Sequence, residues 1–275
     1  DFLIAPESIA DANATTVVND LVATASSLRK DCVAVASPSR NAAVVIGTNA
    51  AVLTCNNTYT KSSYLVQDNN YLKVFDKYND QFIKIPAASS TAGLMAATDL
   101  VAANWFSPAG QRRGRYLGIT DIELSPNKSE RDTLYKAGIN PIANIPGQGI
   151  MLFGDKTNES RPSAFDRINV RRLFLGIERA IAIAGRNVMF EFNDEFTRAE
   201  FVNIVEPFLR EIQGRRGITD FRVVCDSTNN TAAVIDRNEF IASIFIKPAR
   251  SINFVTLNFV AVRTGVEFEE VVGTV

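Results

Sequence analysis

The sequence contains no histidine among its 275 residues. Histidine is the commonest general base, the usual partner of a serine or cysteine nucleophile and the commonest zinc ligand, so its absence disfavours those kinds of active site. The three cysteines, Cys32, Cys55 and Cys225, lie far apart and form no CxxC pair, which argues against a thiolate metal site and a disulfide framework. No apolar run approaches the roughly 20 residues of a membrane-spanning helix.

The composition is ordinary for a globular protein, with 46% hydrophobic and 21% charged residues. The length suits one large domain or two small ones with a substantial core. The net charge of −1 gives no overall attraction for nucleic acid. The chain starts without Met, on the apolar stretch 2–5, and we therefore expect it to be part of a longer protein.

Residues 163–192 form the segment around which the chain is organised. Ser163 and, three residues on, Asp166 predict a helix start. An apolar stripe follows at helical spacing: Val170, Leu173, Phe174, Ile177, Ile181 and Ala184. Four arginines fall mostly off that stripe: Arg167, Arg171, Arg172 and Arg179. We expect the helix to end near Gly185 and a short strand to cover 188–192. The arginines are either a solvated face or a charged surface shown to a partner.

The first half of the chain reads as alternating strands and helices. Strands at 2–5 and 32–36 flank a helix at 15–30, and this order favours a parallel pair covered by the crossover helix. Residues 40–88 are less regular. There, 64–66 and 71–75 flank Asp68-Asn69-Asn70 and predict a hairpin, and 81–85 returns as a strand after a polar turn. Further predicted elements are helices at 89–104 and 125–137, the second stopped by Gly138, and a strand at 150–153.

The second half ends in strands. Thr197 and Glu200 predict a capping box for a helix that contains Pro207. Strands are predicted at 221–225, 240–247 and 252–263. The last strand is apolar on both faces, so another chain must cover it if its own fold does not.

Charged clusters give little support for catalysis. The clusters are Asp76 with Asp80, Asp226 with Asp236 and Glu239, and Arg112, Arg113 and Arg115. The first pair is better explained by a hairpin turn, the second set fits no calcium loop, and the arginines are either solvated or contact a phosphate. By elimination, a binding or assembly role is favoured over an enzyme, with no metal and no cofactor.

Several segments, in order, resemble the contractile tail sheath proteins of bacteriophages. They are 91–99, 107–110, 137–141, 146–149, 153–157 and, as the most telling, Ile168-Asn-Val-Arg-Arg-Leu173, with 208–209 and 221–226 after it. Phe75–Asp80 and Val234–Glu239 resemble the T-even-like myovirus branch in particular. The match covers roughly residues 30–262, and the large N-terminal portion of the family is missing.

The resemblance implies a structural protein of the virion tail, assembled in the host cytoplasm and without enzymatic activity. Such subunits stack as sixfold rings around a tail tube, with the baseplate and the tail terminator at the ends. Contraction drives the tube through the host envelope. The implied partners are other copies of the chain and the tube protein, with no direct contact to nucleic acid or membrane.

We therefore expect an α/β fold, a mixed sheet flanked by helices, over residues 1–251, including an irregular β excursion at about 40–88. Residues 252–275 are expected to form a C-terminal strand arm. Arg167, Arg171, Arg172 and Arg179 are the candidates for facing the tube. The candidates for pairing with a neighbouring subunit are Asn253, Val255, Leu257, Phe259, Ala261 and Arg263. The alternatives are a sheath of a related contractile injection system, tailocin or type VI-like, and a hydrolase that uses carboxylates only.

Overall fold

The structure, a computed structural model, describes residues 1–253. Its strands are β1 (Phe2–Ile4), β2 (Val33–Ala36), β3 (Leu65–Asp68), β4 (Tyr71–Asp76), β5 (Gln81–Pro86), β6 (Asp121–Ile122), β7 (Ile139–Asn140), β8 (Ile142–Ile145), β9 (Gly149–Leu152), β10 (Ile218–Val224) and β11 (Ser243–Pro248). Its α-helices are α1 (Asp11–Ala23), α2 (Asn49–Thr58), α3 (Ala88–Val101), α4 (Lys128–Lys136), α5 (Ile168–Gly185), α6 (Glu195–Gly214) and α7 (Ala232–Asp236). Six-residue π-helical segments follow α1 and precede α2.

A four-stranded parallel sheet in the order β1-β2-β3-β7 organises the first half of the chain. Ala34 and Ala36 of β2 pack with α1 and α2 on one face, while Val33 and Val35 pack with α3 and the start of α5 on the other. Burial on both faces explains why β2 is a continuous apolar run. The predicted α/β fold and the parallel pairing of the first two strands are confirmed.

Antiparallel pairing is confined to smaller sheets, in the orders β5-β4-β6 and β8-β9 beside the parallel sheet and β10-β11 farther along the chain. The predicted turn and returning strand at 75–85 are the β4–β5 hairpin. The predicted hairpin across 68–70 is wrong, because β3 and β4 lie in different sheets. Asn69 and Asn70 are fully buried between those sheets, where their side chains bond to the backbone of Ile142 and Leu124.

The second half of the chain has its own core. Leu173 and Ile177 of α5 pack with α6, β10 and β11, and Trp105 contacts this cluster from the first half. Helix α6 continues through Pro207, as predicted. Its cap is Asp194, which accepts a hydrogen bond of 2.8 Å from the Thr197 backbone N–H, so the predicted capping box at Thr197 is wrong.

The segment before α5 also differs from its prediction. Ser163 caps a short 3₁₀ turn, Ala164–Asp166, instead of the long helix. Arg167 is extended and bridges to Lys156, and the Ile168 backbone N–H donates to the Asp155 carbonyl at 2.8 Å. The isolated bridge between Arg167 and Lys156 therefore delays the helix by about one turn.

The predicted strand at 188–192 is wrong. The chain makes a 3₁₀ turn at Arg186–Val188, and no described strand pairs with the residues that follow. Phe190 is fully exposed there. No helix in residues 1–253 is long and apolar enough to cross a membrane.

Candidate assembly surfaces

Arg172 joins α5 to α3. Its side chain is 6% exposed, and its Nη2 donates to both carboxylate oxygens of Asp99, at 2.7 and 2.6 Å. Its Nη1 donates to the Met95 carbonyl at 3.2 Å. Arg172 therefore connects two helices inside the chain and has almost no surface for a partner.

Arg171 is buried between two aromatic rings. Its guanidinium carbon lies 4.2 Å from the ring centre of Tyr64 and 4.0 Å from that of Phe165, and it donates to the Ser63 hydroxyl. Desolvation lowers the pKa of Arg171. The expectation that Arg171 and Arg172 face a tube is corrected here, because helical spacing places them off the main stripe but on a second buried side of α5.

The other two arginines differ from each other. Arg167 lies against Tyr135 and 3.4 Å from Asp155, in a mostly enclosed position. Arg179 is half exposed, and its Nη2 reaches Asp1 and the Asp31 carbonyl near the surface. Of the four candidates, Arg179 alone retains a large exposed area, and its contact with a tube stays a prediction.

Asp155 fastens the chain that follows β11. One carboxylate oxygen accepts hydrogen bonds from Tyr135 at 3.0 Å and from Asn253 at 2.7 Å, and the other accepts from Ser251 at 2.6 Å. The Asn253 amide also reaches the Tyr135 hydroxyl at 3.0 Å. The start of the predicted strand arm is thereby fixed to the first half of the chain. No sequence signal marks this site, because Ser251 and Asn253 lie 96 and 98 residues along the chain from Asp155.

The sheet of β10 and β11 has two strands only, with its outer edges unpaired within residues 1–253. Phe221 and Ile246, paired in register, face the core. Arg222 and Phe245, the next pair, point the other way, and Phe245 is 60% exposed. A two-stranded sheet is marginal in water, and open edges accept further strands.

Of the strand-pairing candidates, only Asn253 is among the described residues; Val255, Leu257, Phe259, Ala261 and Arg263 lie outside them.

The acidic clusters serve local structure. Asp76 accepts from the Tyr78 backbone N–H at 2.9 Å inside the β4–β5 turn, as predicted. Asp226 bonds to Thr228, and Glu239 pairs with Arg237 at 2.8 Å. No group of three or more acidic, histidine or cysteine side chains within residues 1–253 is arranged to hold a metal ion.

The parallel sheet, the helices around it and the smaller C-terminal sheet form the fold of contractile sheath subunits. The structure matches the helical sheath of the anti-feeding prophage in its contracted state with a TM-score of 0.76, over 94% of this chain and 69% of that one, at 20% identity. It matches the contracted PVC sheath complex of an extracellular contractile injection system with a TM-score of 0.75, over 93% and 69%, at 22% identity.

The chain belongs to the phage tail sheath family. The model of the phage tail sheath protein central domain matches residues 1–158, and that of the phage tail sheath C-terminal domain matches 160–261. The tail sheath protein of Vibrio phage KVP40 is 44% identical, over 94% of this chain and 41% of that protein. That of Enterobacteria phage T4 is 44% identical, over 89% and 39%. The chain thus spans about two-fifths of these relatives, and the resemblance to T-even-like sheaths is confirmed.

Proposed function

We propose that this chain is part of the subunit of a contractile tail sheath, which polymerises with copies of itself around a tail tube. Contraction of the polymer would drive the tube through the host envelope during genome ejection. Membership of the sheath family supports this role. The observation that carries it in this chain is the two-stranded sheet of β10 and β11, whose outer edges pair with no other strand in residues 1–253.

Residues 253–263 are the proposed partner of that sheet in a neighbouring copy. If these residues are extended, apolar side chains fall on both faces of the strand. Among residues 1–253, no further strand pairs with the outer edges of β10 and β11. Strand addition supplies main-chain hydrogen bonds that survive a rigid-body rotation of the domain. Asp155 would hold the start of this arm on its own domain while the arm pairs elsewhere.

We further propose that the subunit is structural and has no enzymatic activity or cofactor. Its partners would be other copies in a sixfold helical sheath, the tube protein, and the baseplate and terminator at the ends. It would be assembled in the host cytoplasm and reside in the virion tail. Arg179, half exposed on α5, is the remaining candidate for a contact with the tube. Exposed ion pairs of about 0–1 kcal/mol each suit a contact that has to form and later release.

Truncation tests the proposal. We expect the 275-residue chain and a chain ending at residue 263 to associate, and a chain ending at 251 to remain a folded monomer. Sedimentation velocity measures association, electron microscopy detects rings or tubes, and circular dichroism checks the fold. Equal polymerisation by the chain ending at 251 would contradict strand addition by the arm.

A further inference from the structure

A cleft lies between the first half of the chain and its C-terminal core. It has a volume of about 1110 Å³. Trp105, Phe106 and Phe153 form part of its apolar wall, and Ile218, the first residue of β10, lies on the C-terminal side. Asn253, the last described residue, also lines it. We call this the interdomain cleft.

The ionisable groups of the interdomain cleft are mostly cationic. Its six cationic residues are Arg112, Arg113, Lys128, Arg131, Arg216 and Arg250. Against them stand two carboxylates, Asp132 and Asp155, in a protein whose net charge is −1. None of the six cations forms an ion pair with a carboxylate inside the described range. Positive charge is thus concentrated here without a carboxylate partner in the part of the chain that the structure describes.

Two cations are held against aromatic rings. The Arg113 guanidinium carbon lies 5.2 Å from the ring centre of Phe106, and that of Arg131 lies 5.7 Å from that of Phe153. Burial, followed by the charge of Arg112, lowers the pKa of Arg113. A ligand that fits this site carries several negative charges next to apolar side chains.

A segment of the chain outside the described residues has that chemistry. Residues 264–275 read Thr-Gly-Val-Glu-Phe-Glu-Glu-Val-Val-Gly-Thr-Val, with three glutamates and no basic residue. Glu267, Glu269 and Glu270 alternate with Phe268 and are followed by Val271. The acids match the cations of the cleft, and Phe268 matches its aromatic wall.

The interdomain cleft lies where an added strand would deliver this segment. Strand β10 starts at Ile218, on the wall of the cleft. A strand that pairs with the open edge of β10 in the antiparallel sense therefore runs toward the cleft. If residues 253–263 of one copy form that strand, as the proposed function requires, Glu267 follows four residues after the strand ends. Connections of this length are common after a strand.

We propose that the interdomain cleft binds the acidic segment Glu267–Glu270 of a second copy of this chain. The segment then locks the neighbour's arm by ion pairs after strand addition has placed it. This inference rests on the proposed assembly function, since the copies meet through that strand.

A labelled synthetic peptide of residues 264–275 tests the site directly. The receptor is the whole 275-residue chain with the substitutions Glu267→Lys, Glu269→Lys and Glu270→Lys, which we call the tail-reversed chain. These substitutions prevent its own segment from competing with the peptide. Fluorescence anisotropy at about 50 mM salt should show binding, and about 500 mM salt should weaken it because ion pairs are screened. A peptide with the same three lysines should bind at least about tenfold more weakly, because each attraction between a glutamate and a cation becomes a repulsion.

Charge reversal in the cleft provides the matched test. Arg112 and Lys128 are exposed, so Arg112→Glu with Lys128→Glu, the cleft-reversed change, should leave the fold intact. In the tail-reversed receptor, the cleft-reversed change should weaken the binding of the natural peptide and strengthen the binding of the lysine peptide. Lys77→Glu with Arg161→Glu changes the net charge equally at exposed positions away from the cleft and should alter neither. Equal effects of both pairs, or no binding of the natural peptide, would overturn the proposal.

Competition identifies the ligand class. Unlabelled peptide should displace the labelled peptide at lower concentration than single-stranded DNA of equal charge. Stronger displacement by DNA would overturn the proposal and assign the interdomain cleft to nucleic acid.

Mixing shows whether the segment comes from a second copy. The tail-reversed chain and the chain with the cleft-reversed change should each associate more weakly than the natural chain. An equimolar mixture of the two should regain the association of the natural chain, as measured by sedimentation velocity. No recovery would overturn binding between copies. Full association by the chain ending at residue 263, together with failed peptide binding, would refute this inference and leave strand addition intact.

Discussion

Asp68 should make the stability of this protein fall as the pH rises toward neutrality. It ends β3 in a fully buried position, where it accepts hydrogen bonds from the Ser37 hydroxyl at 2.8 Å, the Thr91 hydroxyl at 3.1 Å and the Asn70 backbone N–H at 3.2 Å. Desolvation outweighs these bonds and raises the pKa of Asp68 from 3.8 to about 7. The neutral acid is therefore the form that the fold prefers.

The size of the effect follows from that shift. A folded pKa of about 7 against 3.8 in the unfolded chain corresponds to about 4 kcal/mol. Because the folded pKa is the higher one, this stabilisation is fully present below pH 3.8. It decreases by about 1.4 kcal/mol per pH unit as the pH rises and is lost once the pH has passed through 7.

Asp68→Asn isolates this contribution. The amide keeps one acceptor and can donate to Thr91, whose hydroxyl lies 2.9 Å from that of Tyr116. Urea unfolding at pH 5 and at pH 8 should show Asp68→Asn gaining about 3 kcal/mol relative to the natural chain over that interval. Asp76→Asn, in the exposed hairpin turn, is the control and should show no such gain, since hydrogen bonds lower the pKa of Asp76. If the free energies of unfolding of Asp68→Asn and the natural chain differed by a constant amount from pH 5 to 8, Asp68 would not be the titrating group.

Further substitutions test the contacts around α5 and the arm. Arg172→Ala should cost about 2 kcal/mol in urea unfolding because it removes a nearly buried guanidinium that bonds to the Met95 carbonyl and to the partly exposed Asp99, whereas Arg179→Ala should cost at most about 1 kcal/mol; equal losses would contradict their different burial. Asp155→Ala should speed tryptic cleavage after Arg250 about tenfold, since the following residues lose their acceptor, and an unchanged rate would contradict the fastening role. Gly217→Ala should cost about 1–3 kcal/mol because its new methyl would lie 2.6 Å from a side-chain carbon, and a neutral effect would show that the site relaxes.

Local sequence patterns predicted the secondary-structure elements that neighbouring residues determine. The apolar run of β2, the polar turn between β4 and β5, and Gly138 after α4 were predicted and confirmed. Gly138 has a φ of +83°, the left-handed conformation that glycine adopts readily at a helix end.

Signals failed where distant contacts decide the structure. Asp68, Asn69 and Asn70 look like a turn, but Asn69 and Asn70 are buried and bond to backbone groups far along the chain. Asp68 is buried as well and accepts from the Ser37 and Thr91 hydroxyls. Helix α2 was missed because its apolar residues are mostly consecutive, 50–53, instead of recurring at helical spacing. The alternation at 188–192 suits a strand, but strand formation needs a neighbour, which the described residues do not supply.

The prediction that Arg171 and Arg172 face a partner was wrong for the same reason. Spacing along α5 separates Arg171 and Arg172 from the main apolar stripe, yet Asp99 and the ring of Phe165 make their positions part of the interior. A residue's distance from an apolar stripe gives its angle on the helix and not what packs there. Asp155, which fixes the arm, was unpredictable because its partners come together only in the folded chain.

Electron cryomicroscopy of the assembled protein is the most direct test of whether the C-terminal arm pairs with a neighbouring copy. Tracing residues 252–263 should show them paired with β10 or β11 of a different copy. If these residues paired with the sheet of their own chain and contacted no second copy, assembly by strand addition would be contradicted.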